Sequence, residues 1–355
     1  MADLLLNLQN ITLTFGGRPV LDGAELMLHD NDRMCLVGRN GSGKSTLLKI
    51  AAGLVEQDHG TRWLQPATTL RYLPQEPDFT GYTSVLEYVV QGLGPTDDPY
   101  RCRHYLNELG LSGEEDPAKL SGGEARRAAL ARTLAPEPDI LLLDEPLGAL
   151  DANLRKSIQN ELKLLQRRLG ITFVFVTHAQ SEALALSDRI VVMNAGRIEQ
   201  ISGPFELYSR PKTLFVARFI GRNAVIAGTI KSVAGDGVTV DTAFGELTGK
   251  ATAGRPLVGC KASLAIPAET IDVLPSWTAA AYIADTYGAG PIKGNIDAIQ
   301  QIGHIVQLAI RIGEGEPIIV EGHADKYAGR LNAGEDVLLA WKPEAATLIA
   351  HAPGE

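Results

Sequence analysis

The chain has 355 residues, 45% of them hydrophobic, and a formal net charge of −9. This length suits two or three domains with cores of their own, and the negative charge gives no electrostatic footprint for nucleic acid. The sequence shows no basic leader, no apolar run near the roughly 18 residues of a membrane span, and no metal-site spacing among its 3 cysteines. We therefore expect a protein of the cytosol with reduced thiols.

A phosphate-binding loop is predicted near the start of the chain. An apolar run at 34–37 is followed by GRNGSGKST at 38–46 and by a helical run at 45–52. Glycines allow consecutive backbone N–H groups to surround a polyphosphate, Lys44 can reach the β- and γ-phosphates, and Ser45 can ligate Mg²⁺. The residues expected to bind nucleotide here are Gly38, Asn40, Gly41, Ser42, Gly43, Lys44, Ser45 and Thr46.

A region of short helices is predicted at 79–119. The strand signal fades there, and helical spacing occurs at 85–90 and 101–109 with a Gly-Leu-Gly-Pro break between them. The next helix, from Glu124 onward, carries Arg126, Arg127 and Arg132. We expect these arginines along one helix face, and a local basic patch for nucleic acid is the alternative.

A second buried strand ends in an acidic pair. Residues 140–143 are apolar and lead into Asp144 and Glu145. An acid at the carboxyl end of a strand lies where an open α/β sheet presents ligands. Asp144 can hold Mg²⁺, which leaves Glu145 to polarise the attacking water as the candidate general base. A solvated strand end is the alternative, and the loop upstream disfavours it.

The texture of the chain changes near Phe219. Before it, an apolar stripe over 154–169 predicts a helix packed on a sheet, and an apolar strand at 171–176 leads to His178. After it, short strands alternate with glycine turns, and residues 259–269 align without gaps to 334–344. This repeat predicts two small OB-like barrels that share one core.

Four motifs stand in the order typical of ATP-binding cassette (ABC) ATPases, which residues 1 to about 220 resemble. They are the phosphate-binding loop, LSGGE at 120–124, LLLDEP at 141–146 and the Thr-His pair at 177–178. The resemblance implies an α/β P-loop cassette with a helical subdomain at about 79–135. It also implies a homodimer in which Ser121, Gly122 and Gly123 of one copy contact the ATP of the other. A hydroxyl and N–H groups at a helix start suit an anion.

Other residues match this family one at a time. Phe15 matches an aromatic that stacks on adenine, although packing in a small sheet is the alternative. Gln75 matches the glutamine that senses Mg²⁺ and the attacking water, and otherwise is a surface residue. Asp151 matches the loop that links the two sites, and His178 matches the switch histidine that contacts the γ-phosphate. Without the other motifs, His178 is an ordinary residue at a strand end.

The region 221–355 resembles the transport-associated OB (TOBE) domain of importer ATPases. This domain either stabilises the dimer or senses a ligand. From 151 to 222 the chain resembles bacterial importer ATPases, the polyamine type above all, which implies a membrane permease, a substrate-binding protein and a place on the inner face of the membrane. Polyamine is favoured, with metal ions, sulfate and small organic solutes open.

The segments before residue 146 resemble a different branch, the ABC-F ATPases that act on ribosomes. The seam falls near Pro146-Leu147, so the chain is a natural recombinant, an engineered chimera or an unusual lineage. A single cassette followed by a β-rich domain favours the importer. The alternative is an ABC-F-like ATPase on the ribosome, the one case with a nucleic-acid partner, and a DNA-repair or cluster-assembly ATPase is a weaker third.

Overall fold

The computed structural model describes residues 3–148, 152–251, 256–288, 290–327 and 329–351. Two compact units, Met1–Pro204 and Phe205–Glu355, divide the chain. None of the helices in these ranges is long and apolar enough to cross a bilayer.

The described residues of the first unit form nine strands. They are β1 (Leu4–Thr14), β2 (Pro19–His29), β3 (Arg33–Gly38), β4 (His59–Leu64), β5 (Leu70–Leu73), β6 (Ile140–Asp144), β7 (Thr172–Val176), β8 (Arg189–Asn194) and β9 (Arg197–Ser202). Six form a sheet in the order β5-β6-β7-β3-β8-β9, parallel from β5 to β8 and antiparallel at β9. Strands β2, β1 and β4 form a second, antiparallel sheet in the order β2-β1-β4.

In the part of this unit that the structure describes, six α-helices precede the division at Pro204. They are α1 (Lys44–Ala51), α2 (Val85–Val90), α3 (Tyr100–Glu108), α4 (Gly122–Leu134), α5 (Ala152–Leu169) and α6 (Gln180–Leu186). The predicted helices at 85–90 and 101–109 appear as α2 and α3, between β5 and β6. One apolar core joins both sheets to α1, whose Leu47 and Leu48 are fully buried. The stripe predicted on α5 faces inward at Ile158 and Leu162.

The continuous apolar run of β6 explains its central place. All five of its residues are buried, as expected for a parallel strand covered on both faces. Its carboxyl end therefore meets the ends of β3, β5 and β7 at one edge of the sheet. That edge brings the predicted site residues together.

The second unit is rich in strands. Its helices are α7 (Pro204–Ser209), which starts at the division, α8 (Leu214–Phe219), α9 (Ala280–Tyr287) and α10 (Ala324–Tyr327). Its strands are β10 (Asn223–Ala234), β11 (Gly237–Thr242), β12 (Gly245–Ala251), β13 (Lys261–Pro267), β14 (Asp272–Pro275), β15 (Ile292–Ile302), β16 (Ile305–Arg311), β17 (Ile318–His323), β18 (Asp336–Ala340) and β19 (Thr347–Ala350). They form a closed barrel, β10-β11-β12-β19-β13, and a sheet, β14-β18-β15-β16-β17.

The prediction of two barrels is wrong for the second repeat, which forms an open sheet. The strand after each repeat crosses over: β14 follows β13 but pairs with β18, while β19 follows β18 but pairs with β13. In the barrel, β19 also pairs with β12 and closes the ring. In the open sheet, α10 lies between the edges, because Tyr327 packs on Gly322 of β17 and Lys326 pairs with Asp272 of β14. Both sheets contribute to one apolar core.

Candidate functional site

The loop between β3 and α1 has a shape that requires glycine at two positions. A Cβ on Gly38 would lie 2.3 Å from the carbonyl oxygen of Met193. Gly43 has a φ of 94°, and a Cβ there would lie 2.7 Å from the carbonyl oxygen of Val20. Only glycine combines the left-handed backbone with such close packing. The loop is therefore pressed against the first unit's core while its outer face stays open.

Lys44, the first residue of α1, carries a buried positive charge into this loop. Its Nζ donates to the carbonyl oxygens of Gly38 and Arg39 at 3.0 Å each. Burial lowers the pKa of Lys44, and the charges of Glu145 and Asp144 act in the opposite direction. These hydrogen bonds thus hold the ammonium group at the phosphate-binding loop before a nucleotide binds.

Asp144 is fixed by two hydroxyl groups. Ser45 Oγ donates to its Oδ1 at 2.8 Å, and Tyr72 OH donates to its Oδ2 at 2.9 Å. Burial, followed by the charge of Asp144, raises the pKa of Tyr72, so the phenol stays protonated as a donor. Carboxylate and hydroxyl oxygens suit Mg²⁺, so this pair fits the predicted metal. The sequence predicted Ser45 and Asp144 but not Tyr72.

Glu145 is the meeting point of three segments. Its Oε2 accepts from Gln75 Nε2 at 3.2 Å and lies 3.6 Å from His178 Nδ1. Gln75 follows β5, Glu145 follows β6 and His178 follows β7, so the strand order brings them together. Glu145 also has a φ of 45°, a left-handed conformation that is uncommon for a residue with a side chain. The three candidate catalytic residues lie in one cluster.

Lys44 and the Glu145 cluster line one open cleft with a volume of about 450 Å³. Binding sites for small molecules commonly span about 300–1,000 Å³. Its lining consists of Val20, Asn40, Gly41, Gly43, Lys44, Ser45, Thr46, Gln75, Glu145 and His178. Val20 was missed by the sequence reasoning, since an ordinary strand valine gives no signal of its place. The cleft is large enough for a nucleotide.

Of the residues predicted to bind the nucleotide of the same copy, Phe15, Gly38 and Ser42 lie outside the lining of this cleft. Phe15, in the turn between β1 and β2, is 67% exposed. Ser42 is buried beneath the loop, and its Oγ has no hydrogen-bond partner in the described part of the chain. Asp151 lies outside the described residues.

The LSGGE segment begins α4, away from the cleft lining. Ser121 caps the helix: its Oγ accepts from Glu124 N at 3.3 Å, while Glu124 Oε2 accepts from Ser121 N at 2.8 Å. This capping box places Gly122 and Gly123 inside the first turn, so the helix begins two residues before the predicted start at Glu124. Ser121 and Gly122 are exposed, and Gly123 is half-buried.

Arg126, on α4, is buried behind the candidate site. The predicted row of arginines on one helix face does not occur, because Arg126 is only 9% exposed and turns into the first unit. Its guanidinium donates to the carbonyl oxygens of Asp144, Glu145, Pro146, Pro74 and Gln75. Arg126 is therefore unavailable to a basic patch for nucleic acid.

Comparisons with known proteins agree with this geometry. The family model described as ABC transporter matches residues 21–148, and the TOBE domain model matches 264–349. The spermidine/putrescine import ATP-binding protein PotA of Rubrobacter xylanophilus is 36% identical over 353 residues, covering 94% of this chain and 90% of its own. The chain belongs to the ABC transporter ATPases. The predicted cassette fold with a TOBE domain and the predicted ATPase activity are confirmed.

Other relatives give the same family. The sulfate/thiosulfate import ATP-binding protein CysA 2 of Chromobacterium violaceum is 43% identical over 249 residues, 62% of this chain and 68% of its own. The dimeric bacterial ABC transporter cassette MJ0796 superposes with a TM-score of 0.52 at 26% identity, covering 56% of this chain and 99% of that one. The sequence relatives are import subunits, which confirms the importer prediction and disfavours the ABC-F alternative. The PotA alignment spans Pro146-Leu147, where the seam was predicted.

Proposed function

We propose that this ABC ATPase hydrolyses Mg²⁺-bound ATP as a homodimer and thereby drives solute uptake through a separate permease at the inner face of the cell membrane. The observation that carries the proposal is the convergence of Gln75 and His178 on Glu145 beside Lys44 and Ser45. A phosphate-binding loop, a base and two groups that hold the base are the parts that ATP hydrolysis needs.

Each residue of the cluster has a distinct task. Lys44 and the loop N–H groups bind the β- and γ-phosphates. Glu145 accepts a proton from the attacking water, Gln75 orients the Glu145 carboxylate through its amide, and His178 contacts the γ-phosphate from the end of β7. Mg²⁺, held by Ser45 and Asp144 when bound, neutralises phosphate charge.

The active site is completed by a second copy of the chain. Ser121, Gly122 and Gly123 start a helix whose free N–H groups suit the γ-phosphate of the partner's ATP. The dimeric form of the MJ0796 cassette supports this arrangement. ATP binding closes the dimer and hydrolysis reopens it, because the γ-phosphate contacts exist only in the closed state. The TOBE domain contributes to holding the dimer together.

The permease docks in a groove beside the glutamine segment. Tyr82 and Tyr88 line one wall with ring centroids 5.1 Å apart, and the ring of Phe79 lies 4.4 Å from that of Tyr88. Arg132 lies 4.4 Å above the centroid of Tyr88 and lines the same groove. Tyr82 and Arg132 are half-buried and Tyr88 is buried, and aromatic and arginine side chains are typical anchors at protein interfaces. The near-complete alignment with PotA supports a polyamine as the transported solute.

Capture on membranes or ribosomes tests this function. The variant Glu145→Gln is incubated with ATP and either inverted vesicles containing a polyamine permease or bacterial ribosomes, and bound protein is sedimented. We expect ATP-dependent capture on permease vesicles only. Lys44→Ala serves as the matched control, because it lacks the charge that binds ATP and should stay in the supernatant. ATP-dependent capture on ribosomes instead would overturn the importer proposal.

A further inference from the structure

All the N–H donors of the Arg126 guanidinium bind backbone carbonyl oxygens around the candidate site. A guanidinium has five N–H donors in a rigid plane. Nε donates to Pro146 O at 3.0 Å, and the Nη1 group donates to Pro74 O at 2.6 Å and Gln75 O at 2.9 Å. The Nη2 group donates to Asp144 O at 2.7 Å and Glu145 O at 2.8 Å. One side chain thus joins two separate segments of the chain.

The burial of this charge calls for a reason. Taking a guanidinium out of water is costly unless its donors are satisfied, and an apolar side chain would fill the same space without that cost. Neighbours on the same face of α4, Ala129, Leu130 and Thr133, are buried as well. Desolvation lowers the pKa of Arg126, and the charges of Asp144 and Glu145 act in the opposite direction. A guanidinium buried among these side chains indicates that Arg126 serves to hold the backbone carbonyls in place.

The carbonyls that Arg126 binds control the direction of the Glu145 side chain. Glu145 has a left-handed backbone, which L-residues avoid and which persists only where the surroundings hold it. Arg126 binds the carbonyl before the Glu145 Cα and the carbonyl after it, so both adjoining peptide planes are fixed. It also binds the carbonyl of Gln75, whose side chain reaches Glu145 Oε2. The base and its amide partner therefore share one anchor.

We propose that Arg126 is a positioning residue for ATP hydrolysis, which holds the backbones of Glu145 and Gln75 so that the carboxylate meets the amide at the γ-phosphate end of the cleft. The inference rests on the proposed role of Glu145 as general base. It assigns no role to Arg126 in binding ATP, because its hydrogen bonds go to carbonyls outside the phosphate-binding loop.

Steady-state kinetics of Arg126→Met and Arg126→Lys test the proposal. A shift of about 1 Å at a reacting group can cost about 100-fold in rate, so we expect kcat of Arg126→Met to fall on that order. Equilibrium ATP affinity and KM should stay within about threefold, because Lys44 and Ser45 are untouched. Arg126→Lys, which keeps the charge without the planar fork, should lose most of the same rate. Arg168→Met, which removes an exposed guanidinium paired with Glu108, is the matched control and should keep full activity.

A double-mutant cycle with Glu145→Gln separates positioning from general damage. If Arg126 acts through Glu145, adding Arg126→Met to Glu145→Gln should lower single-turnover hydrolysis little further. Full additivity, a wild-type kcat in Arg126→Met, or a loss confined to ATP affinity would overturn the proposal. Aggregation of both Arg126 variants beside a soluble Arg168→Met would assign Arg126 to folding alone. A wild-type rate of hydrolysis by Glu145→Gln alone would refute the assignment of Glu145 as the general base, and with it the proposed function.

Discussion

Substituting Gly43 by alanine tests the account of the phosphate-binding loop. Two glycines of this loop have a left-handed backbone, Gly41 with a φ of 78° and Gly43 with 94°. A Cβ on Gly41 meets nothing within 4 Å, whereas a Cβ on Gly43 would lie 2.7 Å from Val20 O and 2.8 Å from Leu21 Cδ2. The side chain of Leu21 can rotate away, but the carbonyl of Val20 belongs to β2. Gly41→Ala is therefore a control that carries the backbone strain alone.

The expected magnitudes follow from these two contributions. A left-handed conformation costs an L-residue roughly 1–2 kcal/mol, and overpacking a well-filled region adds about 1–3 kcal/mol. Gly41→Ala should thus lower the free energy of unfolding by about 1–2 kcal/mol and Gly43→Ala by about 2–5 kcal/mol. At about 2–4 °C for each kcal/mol, Gly43→Ala should melt about 2–12 °C below Gly41→Ala.

Thermal unfolding without nucleotide measures this difference. Nucleotide is left out because both glycines line the cleft, so that binding would mix with stability. Equal melting temperatures for the two alanine variants would show that the loop is not pressed against β2, and the steric reasoning would fail. Greater stability of Gly43→Ala than of Gly41→Ala would refute it more directly.

Three further predictions concern the loop, the partner copy and the thiols. Lys44→Ala should lose ATP binding or turnover, measured by titration calorimetry and phosphate release, and normal kinetics would remove the loop assignment. Ser121→Arg should block hydrolysis but not ATP binding. Mixing this variant with Lys44→Ala should restore activity, because a mixed dimer keeps one intact composite site. If heterodimers form and no activity returns, Ser121 does not act in trans. Cys260 is exposed, whereas burial raises the pKa of the Cys35 and Cys102 thiols. A disulfide reagent should therefore modify one thiol quickly in the folded protein. Quick modification of all three thiols would contradict the structure.

Local chemistry made the phosphate-binding loop predictable from sequence. Its glycines, Lys44 and Ser45 are adjacent in the chain, so their spacing alone indicates the arrangement. The cluster around Glu145 is different, because Gln75 and His178 are distant in sequence and meet it only through the order β5-β6-β7. Periodicity predicts strands but not their order in a sheet, so those two residues were found by resemblance to a family.

Arg126 shows what a residue-by-residue interpretation misses. As one of three arginines in a short segment, it was expected on a helix face shared with the other two, with a basic patch for nucleic acid as the alternative. Helical spacing carried the contrary signal, since position 126 shares a face with Ala129, Leu130 and Thr133, which are all suited to burial. No sequence pattern indicated the five carbonyls, because they belong to two other segments. The strand exchange of β14 and β19 was hidden for a similar reason, since the repeat describes each copy separately.

The most direct test of the central claim is the rate of ATP hydrolysis by Glu145→Gln. General acid-base groups commonly contribute about 10²–10⁴-fold to a rate. We predict that this variant binds ATP with the affinity of the unaltered protein and loses turnover by at least about 100-fold, because glutamine keeps the shape of the side chain but accepts no proton. Hydrolysis at the unaltered rate would contradict the assignment of Glu145 as the base and, with it, this account of the site.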